Sequence, residues 1–156
     1  MTAPSRLTTS RQVVVGFDQS PQSITALRWA ASYVADRGAL LRIVHVWDLT
    51  DAELFSAAAV AESVAADERE VVTRRVAEVM GTGTEWQDWQ VEVLRGHVGP
   101  TLVRAADRAD LLVVGTGAHT GVRRLAAGSV SHYCLSHARC PVVAVPAAAG
   151  VLAELA

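Results

Sequence analysis

The chain has 156 residues, 51% of them hydrophobic, and a formal net charge of −2. That balance suits one domain with a sizeable core, and it leaves no global field to draw in nucleic acid or an anionic membrane. All 14 positions counted as Lys plus Arg are arginine, which excludes a Walker-type phosphate loop and Schiff-base chemistry, since both need a lysine.

Residues 1–11 are polar and rich in Thr and Ser, and read as a disordered lead-in. No apolar stretch precedes a cleavage site there, and two cysteines make no disulfide framework, so the expected location is cytoplasmic. "QVVVGF", residues 12–17, is a β-branched run holding a glycine and predicts a buried strand. In "SPQSITALRWAASYVADRG", Ser20 can cap a helix, Pro21 suits its first position and Gly38 ends it. Ile24, Leu27, Ala31 and Val34 fall on one face of that helix. "ALLRIVHVW" predicts a second apolar strand. Residues 51–80 lack Gly and Pro and predict one long helix, or two joined at a kink, with 54–61 a candidate unwound stretch.

"WQVEVLRG" alternates as a half-exposed strand at a sheet edge would. "HVGPTLVRAADRA" predicts a short helix starting near Pro100, and "DLLVVG" a further buried strand. A glycine-rich loop follows, then a helix over 129–138 and the strand "PVVAV". Pro146 and Gly150 break the C-terminal apolar stretch far short of the roughly 20 residues of a membrane span. The alternation of strand and helix predicts a single doubly wound, Rossmann-like α/β domain over 12–147, with a tail over 148–156. Its sheet would be five-stranded and parallel, with helices on both faces.

Ligands of such sheets bind beyond the carboxyl ends of the strands, where the strand order reverses. If the first strand is central, "GFDQS" and "GTGAHTG" converge there. The 13 residues 116–128 exceed what an ordinary strand-to-helix connection needs. Gly115, Gly117 and Gly121 permit close backbone approach, and Gly128 precedes a helix whose first amides, with the hydroxyls of Ser129 and Ser131, can hold an anion. The same pattern also describes a glycine-rich turn in which Ser129 only caps its helix. A dinucleotide fingerprint is excluded: the loop follows the fourth strand, carries an extra residue, and has no acid over 135–145. Asp18 can accept a proton from an amine or a ribose hydroxyl, or it can brace its own turn.

"VVVGFDQSPQSITALRWA", "LRIVHVW" and "ADLLVVGTGAHTGVRRLAAGSVSHYCLSHARCPVVAVP" together resemble the universal stress protein family, in order and across nearly the whole chain. The resemblance implies a five-stranded α/β domain with strand order 3-2-1-4-5. One subset of that family binds ATP through G-x2-G-x9-G-[S/T]. Aligned on Gly128 and Ser129, the first glycine falls on Gly115 and the middle one on Ala118, with Gly117 displaced by one. By position, the resemblance implies that Asp18 and the backbone near Val46 hold the adenine end, with Gly16 and Phe17 along the same wall. Val114, Gly115, Gly117 and Ala118 would line the ribose and triphosphate, and Gly128, Ser129, Val130 and Ser131 would complete the phosphate nest. Gly117 is expected to take an unusual backbone angle so that Ala118 need not.

The expected ligand is ATP, with Mg, and ADP or cyclic AMP are alternatives; a nucleotide-free scaffold is the other reading. The resemblance further implies a homodimer through the last strand, from Val142 to Val145. His132, Cys134, His137 and Cys140 are spaced too loosely for a structural metal site; Cys134 and His137 share a helical face, and the cysteines read as buried small residues. Arg123 and Arg124 could screen phosphate or simply be solvated. Trp47, Trp86 and Trp89 read as packing groups, because no basic stripe accompanies them. No nucleophile–base–orienter set can be assembled, and Ser129 lacks a G-x-S-x-G elbow, so strong intrinsic catalysis is not expected. Nucleic acid and membrane are not expected partners.

Overall fold

Short β-branched runs that bury both faces have to be covered from both sides, and the chain does this by alternating strand and helix. The computed structural model describes residues 11–47, 58–81, 88–117 and 129–147. In chain order the elements are β1 (Gln12–Gly16), α1 (Pro21–Ala35), β2 (Leu40–Trp47), α2 (Ala58–Met80) and β3 (Trp89–Arg95). They are followed by α3 (Val98–Ala105), β4 (Leu111–Thr116), α4 (Ser129–His137) and β5 (Val142–Pro146). The five strands form one parallel sheet in the order β3-β2-β1-β4-β5, with β1 central.

Side-chain alternation divides the core in two. Val13, Val15, Ile43 and Val113 face α1 and α2, meeting Leu27 of α1 and Val72 and Val76 of α2. Val14, Val44, Leu112 and Val114 face the other way, against Leu102 of α3 and Cys134 of α4. β3 is an edge strand, as its alternation predicts, and β5 is the other edge.

Local signals explain most boundaries. Ser20 caps α1 by accepting from the Ser23 amide at 3.3 Å, Pro21 occupies the first turn, and Gly38 takes φ 59 beyond the end. The face of Ile24, Leu27, Ala31 and Val34 is buried. α3 begins at Val98, two residues before Pro100, because the first-turn amides have no intrahelical partner and a proline there loses nothing. α2 runs unbroken from Ala58 to Met80, so the candidate unwound stretch is helical where it overlaps this range. Residues 54–57 lie outside the described residues, as do the lead-in up to residue 10 and the tail from 148. No helix among the described residues is long and apolar enough to cross a membrane.

Arg42 of β2 forms a clamp beneath α3. Its Nε and Nη2 donate to the Glu92 carboxylate at 2.7 and 3.0 Å, and Nη1 donates to the Ala105 carbonyl at 3.0 Å. Both side chains are mostly buried, with 18% and 25% of their surface exposed. Hydrogen bonding between them raises the Arg42 pKa and lowers that of Glu92. The last turn of α3 is thereby tied to the sheet.

Candidate functional site

Where β1 ends, the chain turns sharply into α1. Phe17 still pairs with the sheet, donating to the Val44 carbonyl at 2.9 Å, and Gln19 then adopts φ 67, a left-handed angle that non-glycine residues rarely take. The turn is closed by Ser20, whose amide donates to Asp18 Oδ1 at 3.0 Å, and by Ser23, whose Oγ accepts from the Asp18 amide at 3.3 Å. Ser23 Oγ also donates to the Ser20 carbonyl at 3.0 Å. Asp18 therefore does brace its turn, while standing exposed at the mouth of a crevice. Burial of its carboxyl works against ionisation, but hydrogen bonds from Ser20 and Ser23 outweigh it and hold the pKa below the ordinary aspartate value. Asp18 is a carboxylate at neutral pH, an acceptor only.

The crevice, about 330 Å³ in volume, opens at the carboxyl ends of β1 and β4. That is the reversal point of the strand order and lies within the size range of small-molecule sites. Gly16, Phe17, Asp18 and Val46 line it from β1 and β2, and Val114, Gly115, Gly117 and Val130 line it from the β4 side. One wall is apolar: Val44, Val46, Val98, Leu102, Val114 and Val130. The opposite lip is polar, made of Asp18, Ser20, Gln22 and Ser23.

Gly115 has a specific steric reason. A Cβ there would lie 2.6 Å from the Gln22 carbonyl carbon and 2.8 Å from its oxygen, so the end of β4 rests directly on the first turn of α1. The close approach expected of this glycine is an approach to helix backbone.

Gly117 lines the crevice beside Gly115. Ser131 is buried at 6% exposure in the first turn of α4, next to the lining residue Val130. Ser129 is the first residue of α4. Ala118, Gly121, Arg123, Arg124 and Gly128 lie outside the described residues, as does Trp86.

Sequence reasoning missed Ser20, Gln22, Ser23, Val44, Val98 and Leu102 as lining residues. Val98 and Leu102, four apart on α3, were legible as one helical face, and Gln22 only as a neighbour of Asp18.

Away from the crevice, Cys134 is fully buried and burial pushes its thiol up to about 11, so it is unreactive. His137 is exposed, stacked on Tyr133 at 4.0 Å and donating from Nδ1 to the Tyr133 carbonyl at 3.0 Å. No cluster of three or more metal-ligating side chains occurs among the described residues. Trp89 packs against the core, and the Arg95 guanidinium lies 5.8 Å from the Trp47 ring centre.

The family model for the universal stress protein family matches residues 9–146. A universal stress protein of Mycobacterium tuberculosis is 29% identical over 155 aligned residues, covering 88% of this chain and 49% of that protein, so the chain spans about half of that relative's length. A universal stress protein solved in complex with cAMP superposes with a TM-score of 0.68 at 24% identity, over 88% of this chain and 98% of that one. The universal stress protein of Archaeoglobus fulgidus in complex with dAMP gives 0.56 at 19% identity, over 86% and 97%.

Proposed function

The chain belongs to the universal stress protein family, and on that premise we propose that its crevice binds an adenine nucleotide. The observation that carries this is the pairing of an apolar wall with an ionised Asp18 at the reversal point of the sheet. A flat base gains by leaving water for the valine- and leucine-lined wall, and a carboxylate rewards a ligand amine or hydroxyl. The relatives solved with cAMP and dAMP, though distant in sequence, support the same ligand class.

ATP is the first ligand of this proposal, with ADP and cyclic AMP as alternatives. Cyclic AMP has its own support in the cAMP complex of a close structural neighbour. The crevice volume and its apolar wall fit the adenosine part. Magnesium would arrive on the phosphates of ATP, since Asp18 is the one carboxylate among the described lining residues. The protein would act in the cytoplasm as a stress-response factor, through a homodimer formed along β5 and through partners, rather than by turnover.

Mass spectrometry of the purified, denatured protein tests the proposal. An adenine nucleotide released in near-stoichiometric amount is the expected result. Protein that releases none and takes none up on incubation with ATP, ADP or cyclic AMP would leave a nucleotide-free scaffold, the reading that Ala118 favours.

A further inference from the structure

The polar lip of the crevice is not uniformly available to a ligand. Ser20 Oγ accepts from the Ser23 amide, and Ser23 Oγ both accepts from the Asp18 amide and donates to the Ser20 carbonyl. Ser23 Oγ is thus committed to the turn in both roles, and Ser20 Oγ as an acceptor. Asp18 keeps acceptor capacity but can donate nothing. Gln22 differs: it lines the same crevice, and its side-chain amide has no hydrogen-bond partner among the described residues. Its backbone is held in place by Gly115. An amide offers a donor and an acceptor together, whereas Asp18 only accepts, Ser23 Oγ has both roles taken by the turn, and Ser20 Oγ, accepting from the Ser23 amide, keeps its proton to donate.

We propose that Gln22 is a specificity-determining residue that reads the ribose 2′-hydroxyl of the bound nucleotide. The proposal rests on the adenine-nucleotide reading of the crevice. With the base against the apolar wall, the lip faces the polar remainder of the ligand. A phosphate on the lip would meet the Asp18 carboxylate and be repelled, whereas a sugar hydroxyl donates to it. A hydroxyl is both donor and acceptor, so Gln22 can satisfy what Asp18 leaves over. The 2′-hydroxyl is the sugar hydroxyl that ATP, ADP and cyclic AMP all carry free. A site built to hydrogen-bond a hydroxyl rejects the analogue lacking it, because its own polar group is then left unpaired.

The test is calorimetric titration of wild type, Gln22→Ala and Gln22→Leu with ATP and with 2′-deoxy-ATP. Alanine keeps the Cβ and backbone on which Gly115 rests, and leucine keeps the bulk, so both should retain the wild-type melting temperature. Wild type is expected to favour ATP by about 10-fold, the worth of one good hydrogen bond. In both variants the ratio should fall severalfold without reaching 1, because Asp18 still accepts from the hydroxyl, and the fall should come through weaker ATP binding with 2′-deoxy-ATP little changed. A ratio that survives undiminished in both variants, or no preference in wild type, overturns the role of Gln22 while leaving nucleotide binding intact. Wild type that binds neither nucleotide overturns the proposed function and this role together.

Discussion

Asp18 holds two positions at once, bracing the β1–α1 turn through Ser20 and facing the crevice. Asp18→Ala is expected to weaken adenine-nucleotide binding by about 10- to 150-fold, the range for one hydrogen bond to a charged group. Because its folded pKa is lowered, the carboxylate's contribution to stability is present above the unfolded value near 3.8 and is lost as pH falls through the folded value. Binding measured from pH 7 downward should therefore stay level until about pH 4, apart from ligand titration. An unchanged affinity with a large fall in melting temperature would assign Asp18 to the turn alone. Gly115 makes the opposite kind of case. A methyl group there meets the backbone of Gln22, which cannot move aside as a flexible side chain would. Gly115→Ala should cost about 1–3 kcal/mol of stability by overpacking, visible as an earlier urea midpoint. A variant as stable as wild type would contradict the contact.

Among the elements, α3 and β5 have the clearest consequences. α3 supplies Val98 and Leu102 to the crevice, and the Arg42–Glu92 pair ties its last turn to the sheet. Glu92→Gln should lower stability by about 1–3 kcal/mol at neutral pH, since Arg42 would keep its partly buried charge without a counter-charge. The Glu92 pKa is lowered, so this difference is full above about pH 4.5 and closes as pH falls further. A difference independent of pH would contradict the ion pair. β5 is an apolar edge strand without a charged residue, the kind that invites strand pairing. Val145 is a poor probe of the proposed dimer, because it is buried at 8% exposure and an arginine there would disrupt the core. Val143 is only partly buried. Val143→Arg is expected to yield folded monomers by sedimentation, and a wild-type protein already monomeric at micromolar concentration would contradict the dimer.

At the scale of the whole molecule, the order of elements was legible because each apolar run has the length and composition of a buried strand and each helix has its own punctuation. β1, β2, β4 and β5 lie within a residue or two of their predicted bounds. α3 starts at Val98, two residues ahead of the Pro100 near which its start was expected, because any first-turn position tolerates a proline. The crevice was half legible. Strand ends follow from topology, but Val44, Val98 and Leu102 enter through the pairing of sheet and helix, which no single stretch of sequence encodes.

The central claim is that this crevice takes an adenine nucleotide, and isothermal titration of the nucleotide-stripped wild-type protein tests it most directly. ATP, ADP and cyclic AMP would each be titrated at neutral pH, with GTP as the control. The account predicts saturable one-site binding of at least one adenine nucleotide, with markedly weaker binding of GTP. No heat from any adenine nucleotide at about millimolar concentration, an affinity worth no more than about 4 kcal/mol, would contradict it.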